Sequence, residues 1–322
     1  MSDVETQTPA PSVATDLEDE RLQQGQALGD TLSELARRVR AGDLGILPVA
    51  AGLVVIAIVF NSLNSIFLSS GNLSNILLES VPVGVIALGI VCVLLVAQID
   101  LSVGSVSGLS AALLAVLWID KGLPAALAVV LALMAGAVIG WLYGQMFNRV
   151  GVPSFVITLA GLLAFLGVQL WLLGTKGAVN LPFDSTLVKF AQLEFVPKWL
   201  SYVFVIAAAA GLFAAGYGRA QERRRAGLSD QSVMLLAARS FALLLGLGLL
   251  VYYLNQTRGV GWMFVGFLGL VLVMHYVLTR TAFGRSMFAV GGNPEAARRA
   301  GIDVNRVYTS VFVLCSSLAA LG

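Results

Sequence analysis

The chain has 322 residues, of which 58% are hydrophobic and 12% charged, with a net charge of +2 and a mean hydropathy of +0.87. A soluble domain is about one quarter charged, so this composition excludes a mainly water-covered surface and points to lipid as the solvent. Two cysteines, Cys92 and Cys315, sit in separate apolar runs, and His275 has no Cys, Asp or Glu at ligand spacing. Neither a disulfide framework nor a metal site is expected, and His275 reads as a packing or interfacial residue.

Residues 1–43 form an acidic tail with nine Asp or Glu and four Arg among Ser, Thr, Pro and Gln. Such a segment buries too little apolar surface to offset its ordering entropy, so its first part is expected to be disordered, with an amphipathic helix over 28–39. No cleaved signal peptide pattern starts the chain. A bilayer core of ~30 Å needs about 20 apolar residues in a helix. Nine stretches qualify, over 44–63, 80–98, 104–119, 125–147, 154–173, 199–216, 233–254, 261–278 and 307–322. The expected fold is therefore an all-α, polytopic transmembrane helical bundle over 44–322, preceded by the 1–43 tail. The ninth span stops without a polar flank, so further C-terminal spans are expected beyond this chain.

Orientation follows from Lys and Arg in alternate connections. With the N-terminus inside, 15 of the 20 basic residues fall on the cytoplasmic side, and Lys121, Lys176, Lys189, Lys198 and Arg258 fall outside. Residues 63–78 are expected to lie along the outer interface. An outward loop of about 25 residues follows over 174–198, long enough to receive a partner. The basic run Arg223, Arg224, Arg225 reads as an anchor at anionic headgroups rather than a nucleic-acid site.

The connection over 280–306 carries the most information. Gly291 and Gly292 break the backbone, Asn293 is an N-cap residue, and Pro294 suits the first helical position. Glu295 complements the N-terminal end of the dipole and Arg298 and Arg299 the C-terminal end. Gly301 is a left-handed stop. A helix over 294–300, carrying Ala296 and Ala297, is too short to stand alone. It docks either on a separate ATPase subunit or on lipid headgroups.

A second constellation, Gln98, Asp100, Ser102 and Ser105, lies between the second and third spans. A carboxylate near a membrane costs free energy unless it is paired or hydrated. Either these residues line a solute path or gate, or Asp100 caps the third span through the amides of Ser102 or Val103. Gly136, Gly140 and Gly144 form two overlapping GxxxG patterns, and Gly104 and Gly108 a third; these are expected to be scaffold for close helix packing. There is no phosphate-loop spacing, no H-E-x-x-H and no Ser/His/Asp set, so enzyme readings fall away and no cofactor is expected in this chain.

The motifs resemble those of ATP-binding-cassette importer permeases of the monosaccharide branch. The resemblance rests on Ile99-Asp100-Leu101-Ser102-Val103-Gly104-Ser105, on the VPSFVITLAG run over 152–161, and on the FGR…GGNPEAARRAGI run over 283–302. It is nearest to the xylose type, with three spans between the outward loop and the 280–306 connection and Ala97-Gln98 before the Asp100 turn. The xylose-type pattern has Glu where this chain has Gln98. The resemblance implies a multi-pass protein of a bacterial inner membrane that pairs as a homodimer and moves a monosaccharide, with xylose the first candidate. It implies cytosolic ATPase subunits that bind the ATP, a periplasmic or lipid-anchored sugar-binding protein, and a coupling role for residues 293–297. Against it stand a self-sufficient secondary transporter or channel, which needs ion-binding groups that only Glu79 and Asp100 could supply, and a non-transporting scaffold.

Overall fold

The computed structural model describes residues 45, 47–226 and 233–322. The acidic tail over 1–43 and the helix expected over 28–39 lie outside the described residues. Among the described residues the regular structure is helical, apart from one isolated antiparallel bridge between Phe195 and Gly261. The main helices are α1 (Leu47–Leu63), α2 (Ser70–Leu95), α3 (Val103–Ala115), α4 (Ala125–Gln145), α5 (Ser154–Leu173) and α6 (Lys198–Arg225). They continue with α7 (Val233–Leu254), α8 (Trp262–Arg280), α9 (Ala282–Gly292), α10 (Pro294–Arg299) and α11 (Val304–Leu321).

Among the described residues eight helices are long and apolar enough to cross a membrane: α2 to α8 and α11, with α3 and α4 continued by π turns to Asp120 and Val150. The expected ninth, α1, has 17 residues, which at 1.5 Å per residue reaches about 26 Å. The exteriors of the spanning helices carry large apolar side chains such as Val83, Leu163 and Leu272, each about two-thirds exposed in the chain alone. Water would penalise that surface, and hydrocarbon does not.

Three expectations are corrected. The second span begins at Ser70, not residue 80, so most of the expected interfacial segment over 63–78 belongs to α2. Ser69 explains the difference, because its hydroxyl accepts the Asn72 N–H at 3.4 Å and its carbonyl accepts the Leu73 N–H at 2.9 Å, capping the helix two turns before the apolar run begins. The sixth span runs past residue 216 to Arg225, since Arg, Ala, Gln and Glu all favour helix and nothing there stops one. The 280–306 connection holds a second helix, α9, capped by the Thr281 hydroxyl on the Gly284 N–H at 3.2 Å. Gly284, Met287 and Val290 recur at helical spacing and form its buried face.

The chain divides into two compact units. In the first, whose described residues fall within 45–73 and 196–259, α6 and α7 pack where Gly216 leaves room for the Leu236 side chain. Asn255 Nδ2 donates to Ser201 Oγ at 3.0 Å, a buried polar tie between the same two helices. The second unit, 74–195 with 260–322, holds the main core, centred on Cys92, Val93, Val96, Met287, Val290, Val311 and Phe312. Prolines 124, 153 and 197 stand at the N-caps of α4, α5 and α6, positions where a missing N–H costs nothing.

Within the second unit, hydrogen bonds and an ion pair tie the connections together at each end. Asn148 Nδ2 donates to the Asn305 carbonyl at 2.8 Å, joining the end of α4 to the start of α11. At the other end Lys176 pairs with Asp120 at 2.8 Å, and the Trp262 N–H donates to the Glu194 carbonyl at 3.2 Å. The 174–198 stretch is not bare loop. It contains helical turns over Gly174–Lys176, Thr186–Val188 and Lys189–Leu193.

Candidate functional site

The site is built where α2 stops. The Gln98 N–H donates to the Val93 carbonyl at 3.1 Å and the Ala97 N–H to Leu94 at 2.9 Å, the paired closure of a Schellman end. That closure needs a left-handed residue, and Ala97 supplies it at φ +56. Among the described residues it is the only non-glycine in this region, so the turn carries backbone strain.

Beyond it, residues 98–102 form a non-helical connection that bends at Leu101, with Ser102 already at φ −88, ψ −7, before α3 begins. Two hydroxyls of α5 hold them. Ser154 Oγ accepts the Ile99 N–H at 3.3 Å, and Thr158 Oγ1 accepts the Leu101 N–H at 3.1 Å. Thr158 returns its own proton to the Ser154 carbonyl at 2.9 Å. Ser154 and Thr158 are one helical turn apart and therefore on one face. These positioning residues, along with Tyr143, were not among the expected site positions. The available signal was the Ser and Thr at i, i+4 inside VPSFVITLAG.

Asp100 is 7% exposed. Its Oδ1 accepts from the Ser102 N–H at 2.8 Å and the Ser102 hydroxyl at 2.7 Å. Ser105 in turn donates to the Ser102 carbonyl at 2.8 Å. So Asp100 does bind the Ser102 amide, and the expected path residues Asp100, Ser102 and Ser105 form one hydrogen-bonded chain. Gln98 lies half-buried beside Tyr308 of α11. Asp100 Oδ2 and the Tyr143 hydroxyl are both buried without a hydrogen-bond partner. In this connection between two spans, burial pushes the Asp100 carboxyl above the usual carboxylate range, and the Ser102 donors pull it partly back. Tyr143 reaches over Gly161, the last residue of the VPSFVITLAG run, leaving no room there for a Cβ.

The 280–306 segment has the geometry its sequence predicts. Asn293 Oδ1 accepts the N–H groups of Glu295 and Ala296, both at 3.0 Å, and Pro294 is the first residue of α10. Glu295 pairs with Arg298 at 2.6 Å, and Gly301 sits at φ +84. Ala297 is buried in the core, while Gly292, Asn293, Pro294, Glu295, Ala296, Arg298 and Gly301 are exposed. One small residue anchors the helix, and its other faces are free. The adjoining Gly291 is half-buried: a Cβ there would fall on the Leu95 carbonyl oxygen and lie 3.3 Å from Val96 Cα. The three motif segments therefore converge on the end of α2 and the turn after it, with Ser154 and Thr158 binding the turn and Gly291 lying on Leu95.

Among the described residues no group of His, Cys, Asp or Glu could hold a metal ion. The arrangement offers a strained turn, a buried carboxylate and a docked helix, which suits movement more than bond chemistry.

A family model for the branched-chain amino acid transport system permease component matches residues 72–322. The chain belongs to this family. It is a transport permease component rather than an enzyme, and a multi-pass inner-membrane protein. The xylose transport system permease protein XylH of Escherichia coli (strain K12) is 33% identical over 284 residues, covering 87% of this chain and 71% of its own. XylH of Haemophilus influenzae is 30% identical, over 84% of this chain and 71% of its own. The ribose import permease RbsC of Escherichia coli (strain K12) is 29% identical, over 84% of this chain and 65% of its own. The resemblance to monosaccharide permeases seen in the motifs thus extends over most of the chain. No solved structure matches it.

Proposed function

We propose that this permease is the membrane-spanning subunit of an ATP-binding-cassette importer for a monosaccharide, with xylose the first candidate. The observation that carries the reading is the 33% identity to a xylose permease over 87% of the chain. The capped helix α10 supports it, since it is anchored by Ala297 alone and offers its remaining faces to a partner. On this reading the N-terminus and the 280–306 segment are cytosolic. Residues 291–298 and Gly301 engage a separate ATPase subunit, which binds the ATP. A sugar-binding protein delivers the sugar to the opposite face, and two permease copies pair to form the path. Asp100 with Gln98, Ser102 and Ser105 sets the position of a gate at the cytosolic end of that path.

The test is uptake of labelled xylose into proteoliposomes that hold the permease, its ATPase and its binding protein, with ATP inside or omitted. ATP-dependent accumulation, abolished by deleting residues 293–297, is the expected result. Uptake without ATP or without the ATPase overturns the importer reading in favour of a secondary carrier. Transport of another sugar but not xylose keeps the class and changes the substrate.

A further inference from the structure

The α9–α10 segment and the end of α2, just ahead of the 98–102 turn, touch backbone to backbone. At Gly291 the backbone of α9 lies directly on the Leu95 carbonyl, close enough that no Cβ fits. A flexible side chain could rotate away from a push, but a main-chain carbonyl moves only with the packed backbone that carries it. Behind the contact, α9, α10 and the start of α11 form one block. The Asn293 N–H donates to Ala289 at 3.1 Å and the Ile302 N–H to Ala297 at 3.1 Å. Met287, Val290, Ala297 and Val304 are buried in the same core as Val93 and Val96. Ahead of the contact lies Ala97 in its left-handed conformation. Strain held at such a residue persists only while its surroundings dictate it.

We propose that Gly291 is a positioning residue, the joint through which α9 and α10 set the end of α2 and hence the 98–102 turn that carries Asp100. The proposal rests on the ATPase-coupled reading above and adds which part of the permease receives the stroke. Displacement of α10 travels as a rigid shift of α9, bears on the Leu95 carbonyl, and is taken up by rotation at Ala97. Ser154 and Thr158 then guide the turn, because their hydroxyls bind its backbone at Ile99 and Leu101. The discrete element that such coupling requires is the Ala97 closure.

Gly291→Ala tests it in the reconstituted complex, with ATP hydrolysis and sugar uptake measured on the same vesicles. Uptake per ATP hydrolysed falls about tenfold or more, within the range of ordinary coupling effects, while hydrolysis continues. Gly269→Ala, on α8 with open space around it, keeps the native ratio. The ratio does not depend on how many complexes are folded, so simple loss of protein cannot mimic the effect. A native ratio in Gly291→Ala overturns the joint. Absence of ATP-dependent uptake in the unsubstituted complex overturns the importer reading instead.

If Gly291→Ala fails to accumulate, spin labels on Arg299→Cys and on Leu94→Cys, exposed on α2 ahead of Ala97, give an independent measurement. Cys92 and Cys315 are buried and leave the labelling clean. A separation that stays constant when nucleotide is added supports a rigid joint. A separation that changes with nucleotide overturns it.

Discussion

Ser154 and Thr158 hold a non-helical stretch of chain with two hydroxyls. Thr158 is fully buried, and its Oγ1 is the acceptor for the Leu101 N–H. Thr158→Val keeps the shape but leaves that part-buried N–H unpaired, at a cost of about 1 kcal/mol. Thr158→Ser keeps the acceptor. Thermal unfolding of the purified protein is expected to show a clear loss for Val and a much smaller one for Ser; equal losses would mean the methyl group matters and the hydrogen bond does not. The two hydroxyls were visible in the sequence as an i, i+4 pair, but their partners were not, since Ile99 lies 55 residues before Ser154. The Asn293 cap was fully legible because every group it uses lies within three residues.

At the scale of elements, the same glycine spacing has two outcomes. Gly136, Gly140 and Gly144 of α4 lie against the backbone of α11 at Ser316, Phe312 and Thr309, so these two helices approach through their main chains. Gly108 of α3 instead accommodates the side chain of Gln169, and Gly104 meets nothing within 4 Å. The α3 pattern is therefore not a helix–helix seam in this chain. Periodicity reveals a small-residue face but does not say what it faces. Gly140→Ala drives a methyl into the Phe312 carbonyl, where neither backbone can move, and is expected to cost at the upper end of the ~1–3 kcal/mol typical of overpacking. Gly104→Ala has space and is expected to change stability by no more than about 0.5 kcal/mol. Unfolding midpoints of the two variants in one detergent compare them directly, and similar midpoints would contradict the α4–α11 seam.

For the whole molecule, hydropathy made the all-α polytopic class legible, and charge suggested the sidedness. Helix limits were less legible, because caps such as Ser69 and permissive runs such as residues 217–225 override the edges of apolar stretches. Sidedness has a direct check, since Cys92 and Cys315 are both buried. With a membrane-impermeant thiol reagent, Lys176→Cys is expected to label in intact cells and Arg299→Cys only in inverted vesicles. The opposite result would reverse the orientation.

The turn at the centre of the second unit is gripped by its main chain and not by its side chains. Ile99 and Leu101 are 49% and 43% exposed, while α5 binds their main chain, at both amides and at the Ile99 carbonyl. Those two positions can therefore drift in sequence without moving the frame that carries them. A fixed bracket with exchangeable exposed residues gives one architecture a way to meet different cargoes or neighbours, without rebuilding the machinery that moves it.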